Sequence, residues 1–327
     1  MKNQQTLSDI EYGNRKRKTR REEFLEMMDK ILPWKSFIEM IEPYYYKGKY
    51  GRPPKGIETM LRMYFLQVWF SLSDELAEDG IYDSYAMRKF MGINFIESQA
   101  PDATTLVNFR KLLVDNALTI QLMYMVSQIL EKHGLLMRGG SVVDATIISA
   151  PSSTKNSTGK RDPEMRSTKK GGQYYFGAKA HISVDAGAGY VRDVETTAAN
   201  VDDRDVVHEI IRPDDEVVYG DAGYIGIEKR EEIKDDPNLS KIDFRINEKR
   251  SRIPRNINGQ MEAFARYQEQ RKSAVRCKVE YVFHIVKNIF GFRKTPYKGI
   301  EKLHARLCAL FLSANLYMCA KAGRVII

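Results

Sequence analysis

The apolar pattern of this chain changes period at Gly139-Gly140, and that change restricts the fold more than any other feature. Upstream, from Phe24 to about Lys132, apolar residues recur at three- and four-residue spacing in "EFLEMMDKIL", "IETMLRMYFLQVWFSLSDELAE", "YAMRKFMG" and "PDATTLVNFRKLLVDNALTIQLMYMVSQILEKHG", which is the pattern of helices. Ser73 or Asp74 breaks or caps a turn in the second stretch, and Pro101-Asp102 starts the last, the aspartate accepting free first-turn amides. Downstream, "SVVDATIIS" is short and β-branched. "YYFGAKAHISVDA" sets Phe176, Ala178, Ala180, Ile182 and Val184 against Lys179, His181 and Ser183, the two-residue period of a strand. "GYVRDVETT" follows across Gly187 and Gly189, as in a hairpin. A helix over about Asp203 to Ile211, the strand "EVVYGD", a helical stretch near Ile227 to Lys234, the strand "KIDFRIN" and a long helix from about Met261 to Phe290 complete the order.

The expectation is an all-α region over 23–137 and an α/β region over 138–327, preceded by a basic tail, 1–22, too poor in apolar residues to fold alone. The turn at Gly92 between two helices fits a DNA-reading helix-turn-helix or a plain bundle, and the Met, Leu and aromatic stripe leans to the bundle. A chain of 327 residues is long enough for two such domains. The longest apolar stretch, "LCALFLSANLYMCA", is interrupted by Ser313 and Asn315 and falls short of the roughly 18 residues of a membrane span. The start is polar and then basic, unlike a signal peptide. Cys277, Cys308 and Cys319 form no CxxC, which argues against a disulfide framework or a zinc site and for a reducing, cytoplasmic setting.

A formal charge of +9 favours a polyanionic partner, and the charge is clustered. One cluster is "RKRKTRR", with Arg15, Lys16, Arg17, Lys18, Arg20 and Arg21. The other holds Lys155, Lys160, Arg161, Arg166, Lys169, Lys170 and Lys179 against Asp162 and Glu164 alone. Each could be a solvated surface; position decides the second.

Asp144 sits inside a strand between Val143 and Ala145, and Asp221 ends the run "VVYGD". A buried carboxylate without a partner costs several kcal/mol, so each needs compensation. Backbone amides or an arginine would satisfy either one alone. A third acid, Glu280, shares one helix face with Arg276 and Lys287, at the margin of a stripe of Val275, Val279, Phe283 and Val286. Three carboxylates at one sheet edge suit two hard divalent cations, which stabilise both the attacking and the leaving oxygen of a phosphoryl displacement.

At these residues the chain resembles the IS5-type transposases of the DDE class. "VVDATIISAP" and "VVYGDAGY" resemble the segments around that family's two aspartates, and "RCKVEYVFHIVKNIFGFRK" its glutamate helix with the spacing R-x3-E-x6-K. The likeness extends to "GRPPKGIETMLRMYFLQVWFSLSDELAE", "MRKFMGI" and "PDATTLVNFRKLL", and so over about residues 45–320. Ser273 stands where the family often has tyrosine.

The resemblance implies an RNase H-like mixed sheet with an all-α N-terminal domain, and Asp144, Asp221 and Glu280 as catalytic metal ligands for Mg²⁺, two per site, with Mn²⁺ as a substitute. It implies transposon-end and target double-stranded DNA as partners, a homodimer or larger assembly on DNA, no membrane, and a bacterial or archaeal cytoplasm. Asp144 would lie on the first strand and Asp221 after the fourth, with Gly220 and Gly223 allowing a sharp turn. Arg276 and Lys287 would hold a phosphate, the basic residues from Lys155 to Lys179 would form a phosphate-contacting loop and flank, and Tyr224 would meet DNA or pack in the core. His181 and His208 read as structural, with Asn200 and Asp202 close to the site. The competing readings are a nuclease or resolvase that stops after hydrolysis, and a DNA-binding protein without chemistry; three intact carboxylates weigh against the latter.

Overall fold

A computed structural model of the chain describes residues 12–46, 48, 53–156, 159–253 and 259–324. Residues 1–11 of the expected tail, and the Gly51-Arg52 pair opening one motif, lie outside these. The chain divides into two compact units, 1–118 with 316–327, and 119–315.

The first unit is helical. It contains α1 (Arg20–Ile31), α2 (Trp34–Ile41), α3 (Ile57–Phe70), α4 (Asp74–Asp83), α5 (Tyr85–Met91) and α6 (Ala103–Asp115). Its boundaries are written in side chains: Thr19, Ser73, Ser84 and Asp102 each accept an amide of the first turn. Helix α3 is buried along nearly its whole length, and Trp69 stacks on Phe65 with centroids 5.2 Å apart. Ten residues separate Met91 from the cap at Asp102, longer than the three- or four-residue turn of a helix-turn-helix, so the pair reads as part of the bundle.

The basic run is ordered from Tyr12 onward, against the disorder its composition predicts. Arg15 bonds the buried Glu22 at 2.7 Å, and Lys18 bonds Glu26 at 2.6 Å. Composition misses this because the balancing acids lie on α1 itself. Burial opposes charge on Glu22, but hydrogen bonds from Arg15 and Lys89 outweigh it and hold the carboxyl below its ordinary range.

The second unit begins with α7 (Leu118–Lys132), which the helical period alone assigns to the first region. Its Glu131 accepts from Arg212 at 3.0 Å, and Arg212 also grips Asp193 at 2.8 Å, which ties α7 to the sheet. There follow β1 (Gly139–Ser149), β2 (Arg166–Lys170), β3 (Gln173–Asp185), β4 (Val191–Ala198), α8 (Val207–Ile210), β5 (Asp215–Gly220), α9 (Glu231–Lys234), β6 (Asp243–Ile246), α10 (Gln260–His284) and α11 (Ile300–Lys321).

The sheet runs β2-β3-β1-β5-β6, with β4 also on β3; β3 is antiparallel to β1 and β4, whereas β1, β5 and β6 are parallel. This mixed order behind an all-α region is the RNase H-like arrangement. Strand β2 is an addition, drawn from what the sequence presents as a loop, so Asp221 follows the fifth strand rather than the fourth. A buried Arg192 on β4 donates to Ser141 of β1 at 2.8 Å and to Asp215 of β5, stitching three strands. Gly177 is needed where β3 crosses β1, because a Cβ there would lie 2.1 Å from the Ile148 carbonyl.

Helix α11 is long and apolar enough by length and composition to cross a membrane, yet 78% of that window is buried inside the protein. Ser313 and Asn315, which interrupt its apolar run in sequence, are both buried within it. Its buried Asn315 is satisfied by the backbone of Val191, accepting at 2.7 Å and donating at 2.8 Å.

Candidate active site

Parallel pairing of β1 with β5 sets Val142 beside Tyr219. Each aspartate lies two residues beyond that pair, Asp144 still in β1 and Asp221 just past the end of β5, and the charge of Asp221 acts on Asp144. Asp144 remains within β1, its Oδ1 accepting the Ala145 amide at 2.8 Å. Asp221 ends β5 and turns back on itself, accepting the Gly223 amide at 2.8 Å. Neither Gly220 nor Gly223 has a left-handed backbone; the need is for space, since a Cβ on Gly223 would sit 2.9 Å from the Asp221 carboxylate and one on Gly220 about 3 Å from Ile246 and Tyr224.

Glu280 comes from α10. Arg276, one turn earlier, bonds it at 2.9 Å and reaches Asp144 at 3.8 Å, so one guanidinium links the helix acid to the strand acid. Asp144 is 19% exposed and Glu280 53%. Burial pushes the Asp144 carboxyl up to about 6, and the nearby Asp221 charge adds to the rise; the Ala145 amide and Arg276 only partly offset it.

Among the described residues no three His, Cys, Asp or Glu side chains gather closely enough to form a metal cage. Arg276 stands between Glu280 and Asp144, and Asp221 is folded onto Gly223. The donor set itself fits a hard divalent cation, being carboxylate oxygen throughout, with one member destabilised by burial.

Past Glu280 the helix widens into a π-turn over Ile285–Ile289, a feature frequent at functional sites. This aims Lys287 at β1, where its ammonium donates to the Ile147 carbonyl at 3.0 Å. Burial lowers the Lys287 pKa, as do the charges of Lys170 and Arg293. A cavity of about 570 Å³ contains these three cations together with Thr146, Ser149, Tyr175, Glu280 and His284. Arg293 is absent from the sequence reading; its nearness to the Lys287 carbonyl, 3.2 Å, depends on the π-turn.

The other expected residues divide by their partners. Lys155, Lys160, Arg161, Arg166 and Lys169 are exposed, Arg166 and Lys169 on or at β2 rather than in a loop. Asp162 and Glu164 accept the Gly299 and Ile300 amides at 2.7 and 2.8 Å, pinning this basic segment to the start of α11. Lys179 is spent internally, on Asp203 at 2.8 Å and the Val201 carbonyl at 2.6 Å, and is no free phosphate contact. Tyr224 is 1% exposed in the core with Val143, Val218 and Ile227, so its expected DNA contact is replaced by core packing. Its hydroxyl is buried without a hydrogen-bond partner.

His181 is buried on Thr197 at 2.8 Å; burial lowers its pKa to about 4, keeping it neutral. His208 lies on the short α8, 3.7 Å from Glu209. Asp202 is held near 2, chiefly by its hydrogen bond from Arg204. The charges of Asp202 and Asp203 reach Tyr224, as do those of Asp144 and Asp221, so the "ANVDDRD" segment borders the site. Where the family often has tyrosine, Ser273 accepts from Asn247 at 3.3 Å. Of the "RKRKTRR" run, Lys16, Arg17, Arg20 and Arg21 are exposed, Arg21 lying over the Phe70 ring at 5.2 Å.

Residues 136–316 match the family model described as a transposase DDE domain, and residues 14–112 match one described as a transposase domain, DUF772. No solved structure matches the chain. The first match spans the whole sheet and all three carboxylates, and the second most of the helical unit. On these two matches the chain belongs to the IS5-type DDE transposase family.

Proposed function

We propose that the chain cleaves the ends of a transposable element and transfers the freed 3′-hydroxyl to target DNA, with Asp144, Asp221 and Glu280 as the ligands of two divalent cations, Mg²⁺ or Mn²⁺. The observation that supports this reading is that Arg276 bonds Glu280 and reaches Asp144, while the charge of Asp221, just past the β5 strand that runs parallel to β1, acts on Asp144. Bound cations would polarise the phosphodiester and lower the pKa of the attacking water. The protein's own groups do the rest.

Arg276 gives up Glu280 and turns its guanidinium, a planar five-donor fork, to a phosphate oxygen. Lys287, fixed by the Ile147 carbonyl, presents a half-desolvated ammonium to the neighbouring phosphate. The exposed basic residues from Lys155 to Lys170 neutralise backbone charge without reading sequence. Lys16, Arg17, Arg20 and Arg21, with the helical unit, carry recognition of the terminal repeats. The protein works on DNA in the cytoplasm as a dimer or larger assembly.

The test is a cleavage and strand-transfer assay with Mg²⁺ on DNA carrying the element's ends. Asp144→Asn, Asp221→Asn and Glu280→Gln should each abolish both steps and leave DNA binding near wild type. A variant that cleaves normally removes its residue from the site. Cleavage without strand transfer by the wild-type chain would favour a nuclease.

A further inference from the structure

Helix α10 is 25 residues long, yet its buried residues are Val279 and Val282, both in its last quarter. The first half is an exposed arm. It nevertheless carries large apolar side chains, with Met261 83% exposed, Phe264 57% and Tyr267 56%. Among the described residues, hydrophobic burial does not explain them.

Between this arm and the β5–β6 end of the sheet runs a groove of about 500 Å³, lined by Tyr219, Arg245, Tyr267, Gln268, Arg271, Lys272 and Val275. Three of these are cations and none is an acid. Arg245 lies over the Tyr219 ring at 5.9 Å and donates to its hydroxyl at 3.2 Å, bracing that ring in place. Lys272 is engaged with Glu269 at 2.7 Å and the Ile246 carbonyl at 3.0 Å, fixing the arm to β6. Arg271 is exposed and has no ion pair among the described residues.

The groove opens beside the carboxylates. Tyr219 precedes Asp221 by two residues, and Val275 precedes Arg276. From Tyr267 to Glu280 the helix rises about 20 Å. Asp243 pairs with Arg245 at 2.7 Å and Glu269 with Lys272, which leaves Arg271 as the lining cation without an ion pair among the described residues, and that charge favours a polyanion as the occupant. An exposed ring beside cations is the platform on which unstacked bases sit, and in a paired duplex those base faces are hidden. We propose that this groove holds an unpaired DNA strand leaving the carboxylates, with a phosphate at Arg271 and a base stacked on Tyr267. The inference rests on the DNA-processing reading above and adds a strand-specific subsite to it.

The test uses the full chain in EDTA, so that binding is separated from cleavage, and compares blunt duplex with duplex bearing a single-stranded tail of about eight nucleotides. Tyr267→Ala and Arg271→Ala should weaken binding of the tailed DNA about 5- to 100-fold and leave the blunt duplex within about twofold. Tyr267→Phe, which keeps the ring, should retain wild-type affinity. Equal loss on both DNAs, or no loss on the tailed one, overturns the proposal. So does a change in subunit number on sedimentation of Tyr267→Ala without loss of tail affinity, which would make the groove a self-contact. A wild-type chain that binds neither DNA overturns this inference together with the parent reading, whereas one that binds and cleaves with unaffected variants overturns this inference alone.

Discussion

Asp144 shows what a buried carboxylate costs its fold. Its pKa in the folded chain stands near 6, above the ordinary value of 3.8, so the folded state binds its proton more tightly than the unfolded state. Stability from this group is therefore present at low pH and is lost as pH rises from about 4 through about 6. In metal-free protein, Asp144→Asn should raise stability at pH 7.5 by about 1 to 3 kcal/mol, and the gain should vanish below about pH 4. Urea unfolding in EDTA at the two pH values checks this; equal gains at both would show that the carboxylate is compensated. Tyr224 is a second such site, because its buried hydroxyl has no partner. Tyr224→Phe should stabilise the metal-free chain by about 1 kcal/mol in the same measurement.

Among elements, the basic segment departs most from a sequence reading. The expected loop contains β2, paired with β3 from Arg166↔Gly177 to Lys170↔Gln173, and its two acids are used on the α11 amides rather than on its own lysines. The cations are left exposed. Replacing Lys155, Lys160, Arg161, Lys169 and Lys170 with alanine should weaken binding alike on any duplex sequence, and flatten log affinity against log salt by about 0.9 per lost contact. An unchanged salt slope would make the segment a solvated connection. At the β1–β3 crossing, Gly177→Ala forces a side chain against the Ile148 carbonyl and should cost about 3 kcal/mol or more in urea unfolding.

Over the whole molecule, the compact units do not follow the change of sequence period. Leu316 and Cys319, fully buried on α11, belong with the helical unit, while α7 belongs with the sheet. Both tryptophans, Trp34 and Trp69, lie in the helical unit, so their fluorescence reports on it alone. Leu316→Ala should lower the stability seen by that fluorescence by about 2 to 5 kcal/mol although it lies more than two hundred residues downstream. An unshifted transition would show that the helical unit stands without the C-terminal turn of α11.

The sequence by itself determined what depends on neighbours along the chain: the helix starts at Ser73 and Asp102, the two-residue alternation of β3, the hairpin at Gly189, and the spacing that sets Arg276 one turn before Glu280. Asp144 and Asp221 stood out because a carboxylate among β-branched residues needs a reason. Tertiary structure decided everything that depends on distant partners. Lys179 reads as an exposed cation until Asp203 comes beside it, and Arg15 until Glu22 is buried against it. Tyr224, open in sequence between a DNA contact and core packing, is closed over by Val143 and Ile227, and a role for Arg293 emerges only where a π-turn brings it to Lys287. Periodicity records which face of an element is buried, and only the packed chain supplies what that face is buried against.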